Sequence, residues 1–175
     1  MVQIIKPGDR DHTTAQTPGM SREAGVCADL TGAQGLWMGV GHNEPGAHSG
    51  THHHGESESG IYVLSGRMRF RWGEHLEHVA DAEAGDFIFV PPWVPHQEAN
   101  ASKDETLKCV IVRSQPTTPG DAVIVNLPGL APIDLGVAEW VDSVHPRGHT
   151  YADGGHAHEH GHGHAQGHGP AGPSP

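Results

Sequence analysis

Two stretches constrain what this chain can become: GAHSGTHHHGESESGIYVLSG from Gly46 to Gly66, and GDFIFVPPWVPHQEAN from Gly85 to Asn100. Successive side chains on a strand point to opposite faces, so His52 and His54 share one face and His53 faces away. Glu58 follows four residues after His54, and His96 follows a proline-rich turn in the second stretch. Two imidazoles on one face, a nearby carboxylate and a third imidazole from a neighbouring strand make a first shell for a divalent metal.

These residues resemble the two motifs of the cupin superfamily, a small β-barrel of jelly-roll type. The first family motif runs glycine, H-x-H, an acid and a second glycine, and Gly46, His52, His54 and Glu58 follow it. Seven residues, rather than the family's six, separate Glu58 from Gly66, so the acid position counted back from Gly66 is Ser59. Either a one-residue bulge turns Glu58 inward, which Ser59 and Gly60 favour, or the acid is absent and the site has three histidines. In the second motif Gly85, Pro91, His96 and Asn100 agree, and Trp93 stands where the family has glycine. The resemblance implies an all-β, single-domain, cupin-type jelly-roll barrel with His52, His54, Glu58 and His96 as metal ligands.

At 175 residues the chain suits one domain with tails. The expected divisions are an N-terminal arm over 1–30, a barrel over 31–128, a C-terminal extension over 129–148 and a disordered His-rich tail over 149–175. A net charge of −11 with neutral histidines argues against nucleic-acid and anionic-membrane partners. The N-terminus lacks a basic prefix leading into a long apolar run, and two cysteines make no disulfide framework; a cytoplasmic protein is expected. Cys109 alternates with Leu107 and Ile111, the pattern of a buried thiol on a strand.

The apolar segment Val2 to Ile5 sits in the arm; in cupins such arms add a strand to a neighbouring subunit, so the resemblance implies a homodimer. Leu36 to Val40 reads as the first core strand. In RMRFRW, Met68, Phe70 and Trp72 alternate with Arg67, Arg69 and Arg71, giving a solvated arginine face or a row that binds an acidic partner. Tyr62 reads as core. A short helical turn is considered at 137–141. From Gly148 onward large apolar residues nearly vanish, so that segment cannot bury a core. Its alternate histidines, His156 to His164, bind nickel, copper or zinc weakly.

Glu98 lies two residues past His96 on the same strand face and is the candidate general base. His48 shares the parity of His52, and Trp93 is either a pocket wall or a surface cap. No nucleophile elbow, phosphate-cradling loop or C-x-x-C pair is present. The expectation is a metal-dependent enzyme, dioxygenase-like, acting on a small oxygen-rich or aromatic molecule with Fe2+ or Mn2+ favoured and Ni2+, Zn2+ or Cu2+ possible. The alternatives are an isomerase or lyase with the same metal site, or a non-catalytic module that binds a small ligand or stores nickel or zinc.

Overall fold

The structure, a computed structural model, describes residues 1–14, 17–114 and 125–126. The C-terminal extension, the His-rich tail and the helical turn considered at 137–141 lie outside the described residues.

The described residues form ten strands: β1 (Met20–Val26), β2 (Leu36–Asn43), β3 (His52–His53), β4 (Ser59–Ser65), β5 (Arg67–Trp72), β6 (His78–Glu83), β7 (Phe87–Val90), β8 (His96–Asn100), β9 (Leu107–Ser114) and β10 (Val125–Asn126). One antiparallel sheet has the order β1-β2-β9-β4-β7 and the other β10-β3-β8-β5-β6. This is the all-β jelly roll that the sequence implies. No helix among the described residues is long and apolar enough to cross a membrane.

The two inner faces supply the core: Ile61 and Val63 from β4, Met68 and Phe70 from β5, and Leu107, Cys109 and Ile111 from β9. Removing a side chain such as Leu107 or Met68 from water contributes about 2 kcal/mol. Close approach of strands dictates two glycines. A Cβ on Gly41 would stand 2.9 Å from Cys109 Sγ. Gly66, the last residue of the first motif, has φ +85 and no room beside Leu107 Cα.

Two strand faces, those of Tyr62 and of the arginine row, differ from the sequence expectation. Tyr62 points outward against Phe87, because Ile61 and Val63 take the inward parity of β4. Of the FIFV strand, Ile88 and Val90 turn inward, whereas Phe87 and Phe89 are exposed on the outer face. The arginine row is engaged by partners within the chain, with Arg67 and Arg71 half-buried. Arg69 is buried and forks onto Asp81 through Nε (2.7 Å) and Nη2 (2.9 Å), Arg67 pairs with the same carboxylate, and Arg71 donates to the Leu76 carbonyl. Within the expected arm, β1 pairs along β2 as the edge of the first sheet. Gln3 and Ile5 line one recess with Met38, Val40 and Val110, so the first residues lie on the outer face of their own sheet with Val2 and Ile4 exposed.

Candidate metal centre

Strand pairing brings the histidines together. His52 on β3 is the cross-strand partner of His96 on β8, with ring centroids 4.3 Å apart, and His54 follows β3 directly. All three are buried, and each offers one ring nitrogen within 4.8 Å of the others. His53 faces the other way, pairs with Val125 across β10 and sets its ring 5.3 Å from Trp93.

Hydrogen bonds fix which nitrogen is available on two of the rings. A carbonyl can only accept, so the contacts of His52 Nδ1 with Gly50 O (2.9 Å) and of His96 Nδ1 with Val94 O (2.8 Å) put the proton on Nδ1. Nε2 then carries the lone pair on both rings, the arrangement that metal-binding histidines use. Phe70 stacks on His96 at an interplanar angle of 12° and holds the ring from the core side. His54 is different: Arg113 Nη2 donates to its Nε2 over 3.0 Å, and its buried Nδ1 has no hydrogen-bond partner among the described residues.

Burial pushes His96 down to about 4 despite the attraction of Glu98, and burial together with Arg113 pushes His54 far below the usual imidazole range. Both rings are therefore neutral at neutral pH, as ligation requires.

Glu98 lies on the inward face of β8 beside this cluster. Its Oε2 is 3.7 Å from His52 Nε2 and 4.0 Å from His96 Nε2. Ser49 Oγ donates to the same oxygen (3.2 Å), and Arg22 Nη2 stands 3.6 Å from Oε1. Burial alone would raise the pKa of this carboxyl, but His52, His96, Arg22 and Ser49 together hold it below the usual carboxylate range.

Glu58 does not join the group. Its side chain is exposed, while its backbone N–H donates to Ser114 Oγ and its carbonyl accepts from Ser114 N. Ser59 takes the inward position and accepts from Arg113 Nε at 3.2 Å. The strand irregularity of β4 falls between Val63 and Ser65, downstream of the acid, so it does not rotate Glu58 inward. The other candidates also stay outside. His48 bridges Ala99, on the opposite face of β8 from His96 and Glu98. Trp93 is 59% exposed and caps the turn at His53 rather than walling a pocket.

Arg113 and Arg22 are the residues that sequence reasoning missed. The signal for Arg113 was available, since it continues the inward parity of Leu107, Cys109 and Ile111. Arg22 lies in a segment whose strand character the sequence does not announce.

The donor set suits a metal ion. Two oriented Nε2 lone pairs, on His52 and His96, and the carboxylate of Glu98 beside them are what a divalent cation would satisfy. Nitrogen and oxygen donors of this kind suit first-row transition ions without selecting one. With Nε2 accepting from Arg113, the proton of the neutral His54 ring sits on Nδ1, so His54 can join only if Arg113 yields Nε2.

Residues 39–113 match the family described as a cupin domain. No curated protein matches the chain. Among solved structures, the polyketide cyclase RemF from Streptomyces resistomycificus is similar with a TM-score of 0.55 and 21% identity, over 65% of this chain and 80% of that one. KdgF from Halomonas sp. gives a TM-score of 0.53 and 15% identity, over 65% and 94%. An uncharacterized double-stranded β-helix protein from Klebsiella pneumoniae gives 0.51 and 20%, over 77% and 99%. At these identities the likeness is one of fold.

Proposed function

Residues 39–113 make this chain a member of the cupin superfamily, and from that premise we propose that it is a metal-dependent enzyme acting on a small oxygen-rich or aromatic molecule, dioxygenase-like in its chemistry. One observation carries the reading: two carbonyl-anchored imidazoles, His52 and His96, converge with the carboxylate of Glu98 at 3.7 and 4.0 Å. Two donors on metal bonds of about 2.1 Å stand roughly 3.0–4.2 Å apart, so these separations are those of ligands sharing an ion. Two histidines and one carboxylate with open positions suit Fe2+ or Mn2+, with Ni2+, Zn2+ or Cu2+ as further occupants.

In this reading Glu98 replaces Glu58 as the carboxylate ligand, and His54 is the third imidazole. The ion supplies Lewis acidity and, if it is iron or manganese, redox capacity at the chelated substrate. The chain keeps His52 and His96 in the ligating tautomer through Gly50 and Val94, and Ser49 and Arg22 orient Glu98.

A second reading, an isomerase or lyase, uses the same substrate chelation without dioxygen and makes Glu98 the proton acceptor. The Ser49 hydrogen bond and the Arg22 ion pair favour it, because they keep the carboxylate ionised and aimed at the cluster. Assays of iron- or manganese-loaded protein with catechols, diketones and hydroxy acids, with and without oxygen, separate the two. Turnover that needs oxygen supports the dioxygenase, and turnover unchanged under nitrogen assigns the isomerase or lyase. Tight binding without turnover leaves a ligand-binding module.

The working unit in this reading is a cytoplasmic homodimer. Cys27 and Cys109 are unpaired and buried, which suits a reducing compartment. Phe87 and Phe89 are 82% and 65% exposed on the edge strand β7, beside Leu64 and Val112. Such an apolar outer face is a site for the same face of a second copy.

A further inference from the structure

The inner face of the first sheet brings a second cation beside the candidate metal centre, and the reading above gives it no task. Arg113 projects from β9 with Nε on Ser59 Oγ (3.2 Å) and Nη2 on His54 Nε2 (3.0 Å), both neutral acceptors. Among the described residues no carboxylate lies within ion-pair distance of Arg113; the nearby acid, Glu98, is engaged by Arg22, Ser49 and the histidines.

Charge arithmetic sharpens the point. Two guanidiniums, Arg22 and Arg113, stand by this cluster with one carboxylate, Glu98, between Arg22 and the histidines, and a divalent ion would add two more positive charges. Arg113 is half-buried on the inward parity of β9. An enclosed cation without a counter-charge is costly and is normally paired. Here the charge that is missing is negative, and Arg113 stands directly beside the histidine cluster.

We propose that Arg113 is the specificity-determining residue of this site and that the substrate is a small carboxylate, whose charge it pairs while an adjacent hydroxyl or keto oxygen reaches the ion. The class is that of 2-hydroxy and 2-keto acids. A planar fork of parallel N–H donors matches a planar carboxylate, and a lysine in its place would offer only a point charge. This substrate class rests on the enzyme reading above, but the Arg113 contact itself does not require the ion.

The test uses matched pairs: a 2-hydroxy acid and its primary amide, a 2-keto acid and its amide, and inorganic phosphate. Binding to the full-length protein is measured by calorimetry, first with metal removed by chelator and then with Mn2+ added. The acids are expected to bind at least about 10-fold more tightly than the amides in both states. Arg113→Met should weaken acid binding about 10- to 100-fold with little effect on the amides. Should Arg113→Met fail to fold, Arg113→Lys keeps the charge and is expected to lose affinity for the acids but not for the amides. Equal binding of acid and amide, or undiminished acid binding by the variants, overturns the proposal, as does phosphate binding more tightly than either acid. Acid selectivity in the metal-free protein with no uptake of Mn2+ would remove the metal reading and leave the anion site standing. Tight Mn2+ uptake without acid selectivity would do the reverse.

Discussion

Arg113 donates from Nη2 to His54 Nε2 at 3.0 Å, so a guanidinium and any metal ion compete for one lone pair. Among the described residues no donor is hydrogen-bonded to Nε2 of His52 or His96, and their Nδ1 protons are spent on backbone carbonyls. The cluster is therefore asymmetric. Replacing His52 or His96 with Ala should lower affinity for Mn2+ about 100-fold or more, whereas His53→Ala should leave it within about 2-fold. Arg113→Met should raise it about 3- to 10-fold, since it frees His54 and removes a repelling charge. Competition against a chromophoric chelator, strong enough to keep metal off the C-terminal histidines, measures all four. Equal loss from His53→Ala would show that the wrong face had been chosen.

The two acids make opposite predictions. Glu98 is 3.7 Å from His52 Nε2, and Glu58 is exposed. Glu98→Gln should therefore weaken Mn2+ binding by about 10- to 100-fold and Glu58→Gln by less than about 2-fold. The same titration decides it. A large effect of Glu58→Gln alone would restore the acid of the first motif as the ligand.

Much of this site was legible because strand parity is rigid. It separates His53 from His52 and His54, and it aims His96 and Glu98 the same way. The spacing from Glu58 to Gly66 already pointed at Ser59, but whether a bulge intervenes depends on pairing between β4 and β9, which local sequence does not encode. The arginine face of β5 was misread for the same reason: what neutralises Arg69 is Asp81, twelve residues away across a hairpin. Trp93 gave a different signal. Its φ of +63 is the left-handed conformation for which the family keeps glycine, so the substitution changed the side chain and not the turn. Arg22 was hidden because β1 is a strand only through its partner β2.

Acid should destabilise the metal-free protein before it protonates the native site. His96 is pushed down to about 4 in the fold, below the roughly 6.5 of an unfolded histidine. As the pH falls below 6.5 the unfolded chain takes up a proton that the native state refuses, so stability is full above 6.5 and is lost as the pH falls towards 4. For this one group the loss approaches about 3 kcal/mol. Glu98, also lowered in the fold, adds in the same direction below its unfolded value. Urea midpoints at pH 7.5 and 4.5, with chelator present, should differ accordingly. A His96→Asn variant should show a shallower dependence, and an identical slope in both proteins would remove His96 as its source.

The outer face of the first sheet carries the prediction about assembly. Val40, Val110, Tyr62 and Phe87 are successive cross-strand partners on β2, β9, β4 and β7, and Phe89 extends the apolar surface at the free edge. The side chains of Phe87 and Phe89 do nothing for the core, since Ile88 and Val90 fill the inward positions of that strand. Replacing both with Ser should leave the fold intact, because exposed positions away from special features usually shift stability by no more than about 0.5 kcal/mol. It should nevertheless shift the protein from dimer to monomer in sedimentation at micromolar concentration. The arm makes a separable contribution: Val2 and Ile4 are exposed on the same outer side, so removing residues 1–5 should weaken the dimer without abolishing it. If the wild-type chain already sediments as a monomer, the apolar face has another occupant and the homodimer is wrong. If the double variant remains a dimer and only removal of the arm dissociates it, the arm and not the sheet face holds the two copies together.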